Sequence, residues 1–354
     1  MQLRINSMAG SVKDMIRGSL LYRAVTEYRI WRDERKRFLR EAYAMPGISP
    51  DELNDYVSAM NEYRISPSEY FHQYRFYSLD KTGRSAFITR SEMQKVYRRL
   101  VSKDVRMVFQ MKPEFLKCFA PFIRRRWTLV DENTDIQALK SLLSEHDVIV
   151  KPVDGSLGQG IYKLTKEESR DRLETLCTRL VKENVLVEEC IRAIDSIEEF
   201  HPASLNTIRV VTFSNGSEAE VIGAFIRFGC HGSVVDNAHA GGIFATIDVS
   251  DGKIISNGLD TEGNEYELHP DSHKPIKGFV IPHWERIVST CLEAVRVIPD
   301  LRFAGWDCVV LPDGGIDILE GNHGPDVDVM QSPLKRGIRS EIKDMLKSYF
   351  DYDL

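Results

Sequence analysis

The sequence predicts an α+β protein in which a helical N-terminal region precedes a larger mixed domain. Residues 1–100 carry apolar positions at helical spacing and two Ser-Pro pairs typical of helix starts. Residues 101–354 alternate helical stretches with short β-branched runs. At 354 residues the chain can bury a substantial core and hold two or more subdomains.

Composition excludes several classes of protein. Hydrophobic residues make up 42% and charged residues 28%, as in soluble globular proteins, and the net charge of −6 gives no reason to expect nucleic-acid binding. The six cysteines contain no CxxC pair, which favours buried thiols over disulfides or a zinc site. No apolar run approaches the roughly eighteen residues of a membrane span, and no signal-peptide pattern opens the chain. We therefore expect a cytoplasmic protein.

The first forty residues are locally basic, with ten Lys or Arg against four Asp or Glu. Apolar residues from Leu20 to Phe38 recur at helical spacing, so this segment is either a basic helix on an anionic membrane surface or a helix packed on the protein or a partner. Further helices are expected from Ser49, from Ser66 and from near Thr89. The aromatic residues of this region form either a nucleotide or sugar platform or, as we favour, a core: Tyr63, Tyr70, Phe71, Tyr74, Phe76 and Tyr77.

A glycine-rich loop is the first informative motif of the mixed domain. Helices are expected from Lys112-Pro113 and over Asp135 to Ser144, followed by strands at His146–Pro152 and Gly160–Leu164. The loop between these strands reads VDGSLGQG, and its glycines allow backbone N–H groups to approach phosphate oxygens. Lys151 adds a positive charge just before the loop. A plain surface turn is the alternative.

The next stretch offers groups for a nucleotide and for an anion. A helix over Glu167–Lys182 leads to the strand NVLVEECI, where Glu188 or Glu189 lies near an adenine amino group or faces solvent. Arg209 is the one basic residue of the strand SLNTIRVVTF, and a lone arginine among apolar neighbours needs an anion. That anion is either a substrate carboxylate or phosphate, or a structural aspartate.

A helix over Pro282–Ile298 then leads into DCVVLPDGGIDILEGNHGPDVD. His283 and Trp284, at the start of this helix, line a pocket or, more commonly, pack. The second motif reads as two strands, Ala304–Leu311 and Gly315–Glu320, joined by a Pro-Asp-Gly-Gly turn.

The folded hairpin brings Asp307, on the first strand, beside Glu320 and Asn322 at the end of the second. Three oxygen donors then converge, as Mg²⁺ sites require. The alternative is a solvated hairpin with ordinary polar ends.

Together these segments resemble the ATP-grasp superfamily. KPVDGSLGQG, VLVEECI, TIRVVTF, GWDCVVL and ILEGNHGPD follow one another within about Lys112 to Gln331. DNAHAGGIFATID and KGFVIPHWERI look more closely like the sugar-transfer-associated ATP-grasp family, which is described as related to α-L-glutamate ligases. The resemblance implies two α+β subdomains that grip ATP, at about 101–190 and 191–354, after an N-terminal helical region at 1–100.

The resemblance also implies roles for particular residues. Arg209 would steady the transferred phosphate or the substrate carboxylate. Lys151 and a second lysine would contact the ATP phosphates. The second lysine is Lys112, with Lys103 and Lys117 as alternatives. Glu199 or His201 would hold the ribose. Asp307, Glu320 and Asn322 would hold two Mg²⁺ ions, with Mn²⁺ as a substitute. The flap expected over the phosphates contains Gly155, Ser156, Gly158 and Gly160. The strand expected to bind the adenine contains Glu188, Glu189, Cys190 and Ile191.

The implied activity is an ATP- and Mg²⁺-dependent ligase that joins a carboxylate to an amine through an acyl phosphate. The substrates would be an amino acid or similar carboxylate and an amine on a sugar or glycan precursor of a surface polysaccharide. His323, Asp326 and Asp328 either help to deprotonate the amine or are plain loop residues. A kinase acting on a hydroxyl and a non-catalytic nucleotide-binding protein are the alternatives. The sequence does not indicate an oligomeric state.

Overall fold

A computed structural model describes residues 20–153, 160–232 and 241–352, apart from the side chains of Leu20, Leu21 and Arg23. Three of the residues expected in the flap, Gly155, Ser156 and Gly158, lie outside this part of the chain.

The N-terminal region is helical, as predicted. Ser49 and Thr89 cap their helices with capping boxes, in which the cap side chain and the N3 glutamate satisfy each other's free backbone N–H groups. The segment predicted to start a helix at Ser66 forms a short π-helix, Glu69–Gln73, and a 3₁₀ turn, Phe76–Ser78. The α-helices are α1 (Leu20–Ala44), α2 (Pro50–Tyr63), α3 (Lys81–Ser85) and α4 (Arg90–Leu100).

Most of the N-terminal aromatic residues form a core, as the favoured interpretation predicts. Tyr63, Tyr70, Tyr74 and Phe76 are buried and pack edge-on or tilted against one another, while Tyr77 is exposed. Helix α1 closes this core with Phe38 and Ala42, which are also buried. No helix in the described ranges is long and apolar enough to cross a bilayer.

The first sheet belongs to a small α/β layer. Its strands are β1 (Trp127–Val130), β2 (Val148–Pro152), β3 (Tyr162–Leu164) and β4 (Val185–Glu189), in the order β1-β4-β2-β3 with every pair antiparallel. Three helices lie with this sheet: α7 (Ile136–Glu145), α8 (Lys166–Asp171) and α9 (Leu173–Glu183). Helices α5 (Lys103–Gln110), α6 (Lys112–Cys118) and α10 (Asp195–Glu198) instead contribute buried residues to the main core. Arg172 interrupts the single helix predicted over Glu167–Lys182.

The second sheet has seven antiparallel strands in the order β11-β10-β5-β6-β7-β8-β9. These are β5 (Ile208–Ser214), β6 (Ala219–Phe228), β7 (Ile243–Ile247), β8 (Gly258–Leu259), β9 (Glu265–Tyr266), β10 (Phe303–Val310) and β11 (Ile316–Asn322). Three helices complete the fold: α11 (Trp284–Ala294), α12 (Asp328–Gln331) and α13 (Arg339–Phe350). The fold is α+β, as predicted.

Helix α11 is shorter than the predicted Pro282–Ile298, and the residues at its start are packing residues. Trp284 is buried and donates a hydrogen bond to the carbonyl of Val249 at 3.0 Å, and the His283 ring packs against Gly314. The main hydrophobic core lies between this helix and the second sheet, which fixes β5 and β10 beneath the site described next.

Candidate active site

Asp307 is the centre of a polar group on the second sheet. In the register of β10 it lies opposite Arg209 of β5 on one side and Glu320 of β11 on the other. Because directly opposed residues of antiparallel strands point to the same face, these side chains meet. Asn322, two residues beyond Glu320, lies on that face too. We call Arg209, Arg227, Asp307, Glu320 and Asn322 the Asp307 site.

A β-bulge produces this alignment. Asp307 is opposite Glu320, but the next residue, Cys308, is opposite Ile318, so Leu319 is an extra residue on β11. A bulge re-aims the side chains around it. Gly321 is also required here, because a Cβ at this position would lie 2.8 Å from the Phe109 ring and 2.9 Å from the Phe115 ring. The strand end that carries Glu320 and Asn322 is therefore held tightly against α5 and α6.

Two arginines hold the Asp307 carboxylate, which is 1% exposed. Arg209 donates from Nε to Oδ1 and from Nη2 to Oδ2 at 2.8 Å, and Arg227 Nη2 lies 2.8 Å from Oδ2. Burial alone would raise the pKa of Asp307, but the two guanidinium charges outweigh it and hold the pKa well below its usual range. The structural aspartate, one of the two kinds of partner expected for Arg209, is present in the structure, and the role of Arg209 toward a substrate anion stays a prediction.

Glu320 differs from its neighbour. Glu320 is an exposed residue, but protein atoms crowd its carboxyl, and this partial loss of solvation together with the adjacent Asp307 carboxylate raises its pKa. Asn322 Oδ1 is a buried acceptor with no hydrogen-bond partner among the described residues. Buried acceptors are nearly always satisfied, so this oxygen is able to accept from a water or to bind an ion.

The oxygen donors of the Asp307 site supply only part of the coordination sphere of a magnesium ion. No group of three or more His, Cys, Asp or Glu residues in the described ranges is arranged to hold a metal. The Asp307 site instead offers two carboxylates and an unpartnered amide oxygen. Mg²⁺ is commonly bound through one or two carboxylates, with waters and substrate phosphates at the remaining positions. The donor set therefore fits Mg²⁺ that arrives with a nucleotide.

Lys151, at the end of β2, makes an ion pair with Glu188, which is 2% exposed. Arg125 donates to the same carboxylate from Nε at 3.0 Å and from Nη2 at 2.8 Å. Burial opposes ionisation of Glu188, but Lys151 and Arg125 lower its pKa to about 2. Glu188 is thus a fixed anion beside Lys151.

Arg125 also joins the two sheets. It pairs with the buried Asp317 of β11 and donates to the carbonyls of Ile318 at 3.0 Å and Leu319 at 2.8 Å. Leu319 is the bulge residue next to Glu320. We call Arg125, Lys151, Glu188 and Asp317 the sheet-junction network. It couples the lysine before the glycine-rich loop to the strand that carries Glu320.

Lys112 lies on the same side of the molecule as Lys151. Its Nζ donates to the carbonyl of Pro152 at 3.2 Å, one residue beyond Lys151. The rivals lie elsewhere: Lys117 is exposed and paired with Glu114 at 3.0 Å, and Lys103 is exposed at the start of α5. The geometry therefore favours Lys112 as the second lysine beside the loop.

The residues expected around the adenine and ribose are more scattered. The backbone N–H groups of Glu189 and Cys190 are already bonded to the carbonyls of Arg126 and Asp147, each at 2.8 Å. Glu199 is exposed and paired with Lys274, and the buried His201 contacts Asp271 through Nδ1 at 3.1 Å. These contacts do not bring Glu199 or His201 to Lys151, and their nucleotide roles stay predictions. Ile191 packs against the main core.

Sequence reasoning missed Arg125, Asp317 and Arg227. Each is a charged residue within or beside an apolar strand, the same signal that singled out Arg209. For Arg125 the signal was weakened by the neighbouring Arg124 and Arg126, because three consecutive arginines resemble a solvated surface run.

The protein-family comparison matches residues 122–347 to a family described as "Sugar-transfer associated ATP-grasp". No curated protein matches the chain significantly.

Several solved structures resemble parts of this chain. An ATP-grasp ligase, PsnB, complexed with its minimal precursor, is 18% identical with a TM-score of 0.44, over 73% of this chain and 69% of that one. The VanG D-Ala:D-Ser ligase from Enterococcus faecalis is 13% identical with a TM-score of 0.43, over 68% and 62%. The D-alanine-D-alanine ligase from Coxiella burnetii is 11% identical with a TM-score of 0.38, over 70% and 64%.

Proposed function

This chain belongs to the sugar-transfer-associated ATP-grasp family, and from that premise we propose that it is an ATP- and Mg²⁺-dependent ligase that joins a carboxylate to an amine. The observation that carries the proposal is the Asp307 site, where a solvent-open Glu320 and an unpartnered Asn322 Oδ1 lie beside an arginine-held carboxylate. These groups suit a polyanionic nucleotide bound with its metal.

The lysines and arginines supply the charge that phosphoryl transfer requires. Lys151 and Lys112, beside the glycine-rich loop, bind the ATP phosphates, and Arg209 and Arg227 face the transferred group or the substrate carboxylate. Asp307, Glu320 and Asn322 would hold Mg²⁺, and the bound ion would supply positive charge to neutralise the transferred phosphoryl group. Fixed charges of this kind are effective because they need no reorganisation during the reaction.

The reaction has two steps. A carboxylate oxygen of the donor substrate attacks the γ-phosphorus of ATP, the bond to the bridging oxygen breaks, and an acyl phosphate and ADP form. The amine nitrogen then attacks the acyl carbon, phosphate leaves, and the amide nitrogen loses a proton. No protein nucleophile is needed, so the chain's own residues bind, orient and neutralise.

We assign the donor to amino acids or similar carboxylates and the acceptor to an amine on a sugar or glycan precursor of a surface polysaccharide. The description of the family as sugar-transfer-associated supports this assignment. The adenine is assigned to the end of β4, at Glu188 to Ile191.

The test measures ADP and phosphate release from Mg²⁺-ATP with pooled carboxylates and pooled amines. Glu320→Gln removes a charge from the Asp307 site, and Glu341→Gln removes an exposed glutamate on α13 as the matched control. We expect release that requires both pools in the wild type and in Glu341→Gln, and its loss in Glu320→Gln. A phosphorylated hydroxyl product would reassign the protein as a kinase, and ATP binding without turnover would leave a nucleotide-binding protein.

A further inference from the structure

The loop that follows β11 is held by the N-terminal helices. Tyr97 of α4 donates from its hydroxyl to the carbonyl of Pro325 at 2.8 Å. Arg90, the first residue of α4, donates from Nη2 to Asp328 Oδ2 at 2.7 Å. The N-terminal region therefore shapes the loop at 323–328, which borders the Asp307 site.

Arg90 is outnumbered by acidic groups. Asp328, Asp326 and the buried Glu69 surround it, and Glu69 Oε1 accepts the Arg90 backbone N–H at 2.7 Å. Burial and the neighbouring Asp326 raise the pKa of Asp328 in spite of Arg90, and burial and Asp328 raise the pKa of Glu69. Arg90 is shared between Asp328 and Asp326, and Glu69 accepts only its backbone N–H, so a further cation beside the exposed Asp326 would be favourable.

Two of these carboxyl groups are incompletely satisfied. Asp328 is 1% exposed, and its Oδ1 has no hydrogen-bond partner among the residues described. The Asp326 side chain is 46% exposed, and its Oδ1 lies 3.6 Å from Arg90 Nε, too far for a hydrogen bond. A structural pair in the same region looks different: Arg84 holds Asp55 with two bonds of 2.9 and 2.6 Å.

The open carboxylate of Asp326 lies next to the Asp307 site. A Cβ on Gly305 would lie 3.1 Å from Pro325 and 3.0 Å from the Arg209 side chain, so Pro325 and Arg209 pack over the same glycine. Burial works against the charge of Arg209, while Asp307 and, more weakly, Asp326 raise its pKa, so the field of Asp326 reaches that side chain. Asp326 is thus an exposed carboxylate that directly follows the residue packed beside Arg209.

We propose that Asp326 binds the ammonium group of the acceptor substrate, with Asp328 behind it and Arg90 as the positioning residue that orients both carboxylates. The inference rests on the proposed ligase function and narrows its acceptor to a primary amine that binds as an ammonium ion. This ion releases one proton to solvent before its nitrogen attacks the acyl carbon, and the amide nitrogen then loses the second. It assigns the N-terminal helices a part in acceptor recognition.

The test compares a cationic acceptor with a neutral one. Hydroxylamine is uncharged near pH 7.5 and intercepts an acyl phosphate without an ammonium site, so hydroxamate formation reports donor activation alone. In Asp326→Asn we expect hydroxamate formation close to the wild-type rate, but a KM for the amine raised about tenfold to a hundredfold, the range for a hydrogen bond to a charged group. Arg90→Lys should raise the same KM to a smaller extent with kcat nearly unchanged.

The control is Asp300→Asn, since Asp300 is an exposed aspartate 3.5 Å from its own arginine, Arg302. Equal loss of both reactions in Asp326→Asn, or loss of neither, would overturn the inference. If the wild type forms no hydroxamate with any donor, the proposed ligase function itself fails.

A binding measurement tests the site without turnover. Ethanolamine, lysine and glucosamine are each compared with the N-acetylated form by ligand-observed NMR, in the presence of Mg²⁺-ADP. For lysine the form acetylated at both amines is used. The wild type should bind an amine in preference to its acetylated form, and Asp326→Asn should lose that preference. Equal binding of both forms by the wild type, or a preference that Asp326→Asn retains, would reject the ammonium site.

Discussion

Within residues 20–153, 160–232 and 241–352, two buried carboxylates are each held by two cations, and the two have different surroundings. Glu188, in the sheet-junction network, pairs with Arg125 and Lys151, and Asp307 pairs with Arg209 and Arg227. In both cases the cations outweigh burial and lower the carboxyl pKa. What differs is the surroundings.

The sheet-junction network is closed around Arg125. That guanidinium group makes five hydrogen bonds, to Glu188, Asp317 and two carbonyls of β11, and uses its full donor capacity. The Asp307 site stays open, because Glu320 faces solvent and Asn322 Oδ1 lacks a partner. A closed network joins two sheets, whereas an open one retains groups for a ligand. A buried carboxylate held by two cations therefore lies in a closed setting in one place and in an open setting in the other.

The largest effect should come from opening the closed network. Arg125→Met leaves Glu188 and Asp317 buried without their shared cation, so the free energy of unfolding should fall by about 3–5 kcal/mol. Urea denaturation followed by circular dichroism measures this change. Arg124→Met, which removes a half-exposed surface pair with Asp313, is the control and should change little. A loss below about 1 kcal/mol for Arg125→Met would show that the network is not structural.

The open site should respond in the opposite way. Asn322→Leu removes an unsatisfied buried acceptor, so the free energy of unfolding should stay level or rise by up to about 1 kcal/mol. The ligase rate should fall by roughly 10²–10³-fold, as for the loss of one electrostatic group in an active site. Denaturation and ADP release are measured on the same preparation. A large loss of stability with activity retained would erase the distinction between the two sites.

Glu188 and Glu320 should contribute differently to the loss of stability at acid pH. The folded pKa of Glu188 is about 2 against an ordinary 4.5, so its contribution to stability is complete above pH 4.5 and is lost as the pH falls toward 2. In Glu188→Gln, the fall in the free energy of unfolding on acidification should be smaller than in the wild type by roughly 1–3 kcal/mol. Glu320→Gln is the comparison. Because the pKa of Glu320 is raised, this substitution should not reduce the fall in the free energy of unfolding on acidification. Urea titrations at several pH values test this, and parallel curves for wild type and Glu188→Gln would contradict it.

The smallest effect concerns the lysine beside the glycine-rich loop. Lys112→Met should raise the KM for ATP about tenfold, the loss expected for one partly exposed charge contact to phosphate. Lys117→Met, five residues along, removes only an exposed pair with Glu114 and should leave that KM unchanged. Steady-state kinetics with varied ATP decides between them. Equal effects of the two changes would remove Lys112 from the site.

Much of the Asp307 site was predictable because it depends on local patterns. The Pro-Asp-Gly-Gly turn fixes an antiparallel hairpin, and the period of two places Glu320 and Asn322 on one face. The sequence did not predict the bulge at Leu319, which brings Asp307 opposite Glu320, because the extra residue is defined only by the pairing of two strands. The strand positions predicted for the hairpin were correct to within a few residues.

Long-range partners were the part that could not be predicted. Arg209 needed an anion by its position in an apolar strand, but its choice of Asp307, 98 residues away, follows from the order of strands in the sheet. The pairing of Arg90 with Asp328, which are 238 residues apart, was not predicted. The sequence predicted that Arg209 needs an anionic partner, and left two kinds of partner open.

By itself, the sequence determined the fold class, the family and the residues able to carry charge, since turns, caps, periodicity and motif order are local or sequential properties. The tertiary structure alone decided which charges are closed into the sheet-junction network and which remain open at the Asp307 site. The physical reason is that burial and pairing depend on the positions of groups from several distant segments, and those positions exist only after the two sheets and the N-terminal helices have packed together.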